Sequence, residues 1–317
     1  TLHKGLGIPF IKNEELDDDD EEKVEEHEAI DFNYLESIIQ SLQGQCYTSK
    51  ERKSSPCYDR IIVDEISMIN GEGWSYLNYI KQRIPRIKFI LAGNIENQLP
   101  PVQEEYRNFE NAFVIKELAD RNLLKLNYNF RIGRSSDELW DVWSDNPKRF
   151  KIQPEAPLTI RNLSFTNKTR KKVIQLLQDT LVNPRVIECK NLKDRIDPVG
   201  QTHYLKYVVG TPLIARKNNK DLKISKNEMW YVDCYEPLTL VEPVLDKKIE
   251  IDEKDLLRLF VSGYCITIHK SQGETYKDEY TIWDWERVSD PSLFIGRRLR
   301  YVAQSRSNNP ENNITYR

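Results

Sequence analysis

Asp64 and Glu65 are the pair in this chain whose type and position point most directly to chemistry. They follow Ile61-Ile62-Val63, a β-branched apolar run, and precede Ile66-Ser67-Met68. Such a run reads as a buried parallel strand. A carboxylate pair at its C-terminal tip stands where open α/β sheets bind their ligands. Asp64 can hold Mg²⁺ there, directly or through water, and Glu65 can orient the water that attacks a γ-phosphate. The plainer alternative is an ordinary buried strand followed by an acidic turn.

Five further segments bear on that choice. Phe89-Ile90-Leu91-Ala92-Gly93-Asn94 is a second short apolar run, followed by Gln98-Leu99-Pro100-Pro101-Val102. Leu126-Asn127-Tyr128-Asn129-Phe130-Arg131 comes next. Far downstream stand the stretch from Thr267 through His269, Ser271, Gly273 and Glu274 to Thr275, and Tyr301-Val302-Ala303-Gln304-Ser305-Arg306. In this order the set resembles motifs II to VI of the superfamily 1 helicases, and it is most similar to their RecD-like and Pif-like branch. The Thr267–Thr275 and Gln98–Val102 stretches carry the sharpest likeness.

The resemblance implies a role for each position. Asp64 and Glu65 become the Mg²⁺ and water carboxylates of an ATP site. Gln98 corresponds to the glutamine that senses the γ-phosphate, with a polar cap on the Pro-Pro turn as the alternative. Arg131 and Arg306 correspond to arginines that reach the γ-phosphate, where a planar cation suits the developing charge. Either arginine alone would more commonly make a surface ion pair. Gly273 and Glu274 fall near the nucleotide. Thr267, His269 and Ser271 become DNA contacts, which bind phosphates without reading bases, though His269 also fits a structural role. Thr1 through Pro9 resembles the segment that precedes motif II. That makes Thr1 and His3 candidate DNA contacts, or a polar start to a strand. Trp230, Tyr128, Phe130 and Tyr264 are candidates to stack on bases, with core packing the commoner use of such residues.

The sequence departs from the family pattern in places. Asn94 stands where an Asp is usual, Gln304 where a Leu is usual, and Lys226-Asn227-Glu228 where Asn-Gly-Glu is usual. No GxxxxGK[ST] occurs; Gly5-Leu6-Gly7 and Gly71-Glu72-Gly73 lack the Lys that grips phosphates. In the family that loop lies upstream of the Thr1–Pro9 segment. The expectation is a C-terminal piece of a longer enzyme, with these 317 residues alone hydrolysing little ATP and binding nucleic acid weakly.

Composition allows this reading. With 39% hydrophobic and 31% charged residues the chain is globular, and its length accommodates two domains. No apolar run approaches the roughly 20 residues of a membrane span, and the expectation includes no membrane. The net charge of −3 is a local effect. Residues 14–28 hold eleven acidic side chains and one Lys, so the remainder carries 46 basic and 39 acidic residues. That leaves basic surface for phosphates, and the acidic run reads as a solvated loop. Cys46, Cys57, Cys189, Cys234 and Cys265 form no CxxC pair and read as free thiols of a reducing, intracellular compartment: nucleus, cytoplasm or viral replication site.

The elements that must position these residues follow from periodicity. Asp31 can cap a helix to Gln43, with Leu35, Ile38, Ile39 and Leu42 on one face. The Asp64 strand, a helix near Trp74–Arg83 and the Phe89–Gly93 strand alternate as a parallel sheet requires. Residues 134–157, with Trp140 and Trp143, read as a linker. Leu163-Ser164-Phe165-Thr166-Asn167 is a strand ending in a polar turn, and a helix from Lys168 to Leu181 follows. From Gly210 to Ile251 apolar residues alternate between turn signals, as in a small antiparallel barrel.

The expected fold is α/β. Two RecA-like parallel-sheet domains occupy 1–133 (incomplete) and 158–317, and an SH3-like β-barrel is inserted at about 213–258. The expected function is an ATP- and Mg²⁺-dependent helicase on single-stranded or forked duplex DNA, in replication, recombination or repair. Its resemblance implies 5′→3′ movement and replication-complex partners. The alternatives are a non-catalytic DNA-binding scaffold subunit and an RNA helicase of the viral type.

Overall fold

The computed structural model describes residues 60–101, 113–126, 128–131, 134–135, 145–188 and 204–317. The Asp31–Gln43 helix, the acidic run, Thr1, His3, Trp140, Trp143 and three of the cysteines lie outside them. The described residues fall into two compact units, one ending at Asn129 and one starting at Phe130.

In the first unit, strands β1 (Arg60–Val63) and β2 (Lys88–Leu91) pair in parallel, with Ile61 opposite Phe89 and Val63 opposite Leu91. Helix α1 (Gly71–Arg83) makes the crossover. Asn70 caps it, its side-chain oxygen accepting the Gly73 N–H at 2.9 Å. Glu72 lies in its first turn and Lys81 and Arg83 in its last, the arrangement that suits the helix dipole. Leu77 and Ile80 are fully buried, as their spacing predicts, and pack with Trp74, Ile61, Val63 and Phe89. Helix α2 (Phe113–Leu118) adds Leu118 to the same core.

The expected burial of β1 holds on one face only. Ile61 and Val63 are buried, but Ile62 is 70% exposed and Ile90 on β2 is 49% exposed. Among the described residues, helices cover only one face of this sheet.

Two short strands, β3 (Tyr128–Asn129) and β4 (Arg134–Ser135), stand near the boundary. The second unit contains a parallel sheet ordered β13-β5-β14-β15, from β5 (Arg161–Ser164), β13 (Cys265–Thr267), β14 (Tyr280–Ile282) and β15 (Ile314–Tyr316). Helix α3 (Asn167–Asp179) follows β5, with Thr166 as its N-cap, and buries Val173, Ile174 and Leu177. The chain then leaves the parallel sheet. It forms an antiparallel hairpin, β6 (Arg185–Glu188) with β7 (Tyr204–Tyr207). A five-stranded antiparallel sheet ordered β11-β10-β9-β8-β12 comes next. Its strands are β8 (Pro212–Ala215), β9 (Met229–Tyr235), β10 (Leu238–Glu242), β11 (Lys247–Glu250) and β12 (Phe260–Ser262). Helix α4 (Glu253–Leu259) sits between the last two and buries Leu256 and Leu259.

Gly263 is the point of return. A Cβ there would come within 3.0–3.1 Å of the Pro212 and Leu213 backbone, so glycine eases the direct passage of β12 into β13. The antiparallel sheet is therefore an insertion between α3 and β13. Its core holds Trp230, Phe260, Leu213, Val232 and Leu240. Helices α5 (Trp285–Val288), α6 (Gly296–Gln304) and α7 (Pro310–Asn313) complete the unit. No helix among the described residues is long and apolar enough to cross a membrane.

Candidate functional site

Asp64 and Glu65 stand just past the C-terminal end of β1, as the sequence expects. The turn is fixed by the neighbouring strand. Ala92 N–H donates to the Val63 carbonyl at 2.8 Å, and Ile66 N–H donates to the Ala92 carbonyl at 3.1 Å. Glu65 adopts φ 53°, ψ 48°, a left-handed conformation that costs an ordinary residue roughly 1–2 kcal/mol. Asp64 relieves part of this: its Oδ1 accepts the Glu65 N–H at 2.8 Å. Gly93, at φ 148°, makes the close approach possible, since a Cβ there would lie 2.8 Å from the Ile66 nitrogen.

Gln98 joins the same turn. Its Oε1 accepts from Ser67 Oγ at 3.2 Å and from the Asn94 N–H at 3.1 Å. Asn94, the residue that departs from the family pattern, has a local task. Its Oδ1 accepts the Asn97 N–H at 2.9 Å, and its carbonyl accepts the Gln98 N–H at 3.1 Å. An aspartate would hold the same turn. Asp64, Glu65 and Gln98 are therefore brought together.

Three predicted segments meet again in the second unit. Arg131 falls in this unit. Its Nε donates to Thr275 Oγ1 at 3.0 Å and its Nη1 to the Ser305 carbonyl at 2.7 Å. Those partners are the direct neighbours of Glu274 and Arg306. The Arg306 guanidinium is buried and spent on the backbone. It donates to the carbonyls of Val302 at 2.9 Å, Glu274 at 3.1 Å and Ser271 at 3.3 Å, and to Ser305 Oγ at 2.8 Å. In this conformation Arg306 pins the Ser271–Glu274 turn to helix α6.

Glu274 extends the arrangement towards the inserted sheet. Burial pushes its carboxyl above the usual range, opposed by the Tyr276 hydroxyl that bonds to it and by Arg161, Lys270 and Arg306. The Arg161 guanidinium lies 5.2 Å from the centre of the Tyr276 ring and donates to the Tyr231 hydroxyl at 2.6 Å. Tyr231 is on β9, so a continuous polar path runs from Glu274 to the insertion. Sequence reading missed Arg161, Tyr231 and Tyr276. Nothing in their spacing marks them, because Arg161 is 70 positions from Tyr231 and farther still from Tyr276.

The candidate nucleic-acid residues divide. Gly273 is exposed at φ 87°, and Thr267 and His269 are half-buried; the Thr267 hydroxyl accepts the Lys270 N–H at 3.3 Å. Ser271 is a correction: it is fully buried, and its hydroxyl is donated to the Ile268 carbonyl at 2.8 Å. Trp230 and Tyr264 are core residues and not stacking platforms, whereas Tyr128 and Phe130 are exposed. Gln304 is also buried, its Nε2 donating to the Tyr316 hydroxyl at 3.2 Å.

Solved structures decide the fold. A Pif1 structure concerning DNA unwinding at forked duplex DNA by two coordinating helicases superposes with a TM-score of 0.57 at 19% identity, over 100% of this chain and 77% of that one. Bacteroides Pif1 bound to single-stranded DNA gives 0.56 at 18% identity, over 100% and 78%. The Bacteroides protein with ADP-AlF3 and single-stranded DNA gives 0.52 at 17%, again over 100% and 78%. The fold is that of the Pif1 helicases. No family model matches the chain, and no curated protein matches its sequence. A Pif1-like fold agrees with the parallel sheets foreseen from the sequence.

The residues at that turn suit a magnesium ion. Asp64 is exposed, offers a hard oxygen, and uses one carboxylate oxygen on Glu65. Magnesium takes one or two carboxylates and completes its shell with phosphates and water, so a single exposed carboxylate such as Asp64 fits it.

Proposed function

We propose that the chain is the motor region of an ATP-dependent DNA helicase that moves on single-stranded DNA. The observation that carries this reading is Arg131, whose guanidinium ties Thr275 to Ser305 and so gathers three separated motif segments into one corner. The Pif1-like fold supports it, as does the carboxylate–glutamine turn in the other unit. Forked duplex DNA is the expected loading substrate, with a role in replication, recombination or repair and movement 5′→3′. Thr267 and His269 supply phosphate contacts to the strand.

Each group then has a task. Asp64 would hold a Mg²⁺ ion, which would supply positive charge to the phosphates of ATP. Glu65 orients the attacking water and takes its proton, and the strained backbone fixes that carboxylate beside Asp64. Gln98, held by Ser67 and the Asn94 N–H, reports the state of the terminal phosphate to the turn. Arg131 stabilises the charge that develops as the phosphoryl group transfers. Arg306 holds the Ser271–Glu274 turn, and it would reach phosphate only by giving up carbonyl partners during the cycle.

The test is single-stranded-DNA-stimulated ATP hydrolysis by the natural full-length protein and its Glu65→Gln variant. Turnover should fall roughly 10²–10⁴-fold in the variant, with DNA binding and melting temperature unchanged. A wild-type protein that binds DNA but does not hydrolyse ATP would replace this reading with that of a scaffold subunit. Greater stimulation by RNA would replace DNA as the substrate.

A further inference from the structure

The turn between β8 and β9 collects positive charge. Residues 216–226 contain Arg216, Lys217, Lys220, Lys223 and Lys226 and one carboxylate, Asp221, a formal charge of +4 in a chain whose net charge is −3. The four lysines recur at every third position, and all four are exposed.

The segment is folded tightly. Asn219 and Ile224 exchange backbone hydrogen bonds, each 2.9 Å. Asn219 Oδ1 accepts the Leu222 N–H at 3.1 Å, and Asn218 Oδ1 accepts the Lys226 N–H at 2.9 Å. Lys223 turns the chain at φ 54°. Ile224 is 3% exposed and anchors the turn in the core of the inserted sheet. The adjacent carboxylate of Glu228 is already engaged, accepting the Ser225 N–H at 2.8 Å and pairing with Lys247 at 2.8 Å. None of the ion pairs among the described residues involves Lys217, Lys220 or Lys223.

Holding like charges on an ordered turn costs self-repulsion, and an ordered polyanion removes it. Lysine binds phosphate as a point charge and needs no particular base beside it. The turn exposes no large apolar side chain, so it lacks what anchors a peripheral segment in a bilayer. We propose that the 216–226 turn is a nucleic-acid backbone contact on the inserted sheet, with Lys217, Lys220, Lys223 and Lys226 binding strand phosphates independently of sequence. This rests on the nucleic-acid reading above and adds a contact that no helicase motif supplies.

The test compares the natural full-length protein with a Lys217→Gln, Lys220→Gln, Lys223→Gln triple variant. Binding of labelled oligo-dT and of a labelled duplex is followed by anisotropy across a salt series. Each single-strand phosphate contact contributes a slope of about 0.7 in log affinity against log salt, so losing three contacts should lower the slope by about 2. Affinity at 0.1 M salt should fall roughly 10- to 100-fold. The melting temperature and the ATPase rate without DNA should not change. Equal slopes and affinities for both proteins on both DNA forms overturn this inference and leave the helicase reading standing. A wild-type protein that binds neither form removes the helicase reading itself.

Discussion

Asp64 and Arg306 carry opposite charges in the two units, and the protein treats them in opposite ways. Asp64 is exposed and uses one oxygen to steady the next residue, on a turn held by main-chain bonds of Ala92 with Val63 and Ile66. Arg306 is 3% exposed and gives its donors to three carbonyls and a hydroxyl. The first unit presents its reactive groups on a rigid main chain. The second uses its arginine as a brace. An exposed carboxylate can be changed at little cost in stability, whereas a buried guanidinium cannot, because its removal strands the acceptors around it.

Arg306→Ala gives the largest expected effect. Each buried acceptor left without a donor costs about 1–3 kcal/mol, so the second unit should lose roughly 3–5 kcal/mol in urea unfolding. Arg306→Lys keeps the charge but not the planar fork and should recover only part of that. An unchanged urea midpoint in Arg306→Ala would erase the contrast between the units. Gly93→Ala probes the first unit in the same way. The new methyl collides with the Ile66 nitrogen, and the expected cost is about 1–3 kcal/mol with loss of the Asp64–Glu65 turn. A tolerated Gly93→Ala, with full ATP turnover, would mean that the turn is adjustable and not rigid.

Arg131→Ala comes next. It removes the bonds to Thr275 and Ser305, a loss of about 1–2 kcal/mol, and under the proposed mechanism a much larger loss in turnover. If turnover survives while stability falls, Arg131 is a brace like Arg306, and the second unit then contributes structure alone at this corner.

What could be read in advance follows the range of the interactions. The β1–α1–β2 crossover was legible because Leu77 and Ile80 repeat at helical spacing and the strands are apolar. The burial of Ile62 was misjudged because nothing in a run of β-branched residues says which face a helix will cover. β5 was legible only at its C-terminal end, Leu163 and Ser164, where a polar turn follows. Its core is held by Asn162, whose amide donates to the carbonyls of Thr159 and Tyr264 and accepts from the Trp283 indole. A satisfied polar residue inside a sheet leaves no hydrophobic pattern to read. Asp64, Glu65 and Gln98 were legible because residues at strand ends do recurrent chemistry. The burial of Ser271 and the Arg161–Tyr231 bond were not, because each depends on where distant chain segments come to rest.

The smallest expected effect tests whether Glu274 belongs to the braced region. Its carboxyl is raised by burial from an ordinary value of 4.5. The folded protein therefore binds the Glu274 proton more tightly than the unfolded chain does. Stability from this group is fully present below pH 4.5 and is lost as pH rises through the raised folded value. Glu274→Gln removes the titration and should flatten that part of the stability profile, so that the variant gains on the wild type as pH increases. Tyr231→Phe breaks the bond that aims Arg161, and weaker attraction from Arg161 should raise the Glu274 value further and move the same step to higher pH. Urea midpoints from pH 4 to pH 8 would display both shifts. Superimposable profiles for all three proteins would mean that Glu274 is as solvated as Asp64, and the division between a displayed and a braced half would then stop at Arg306.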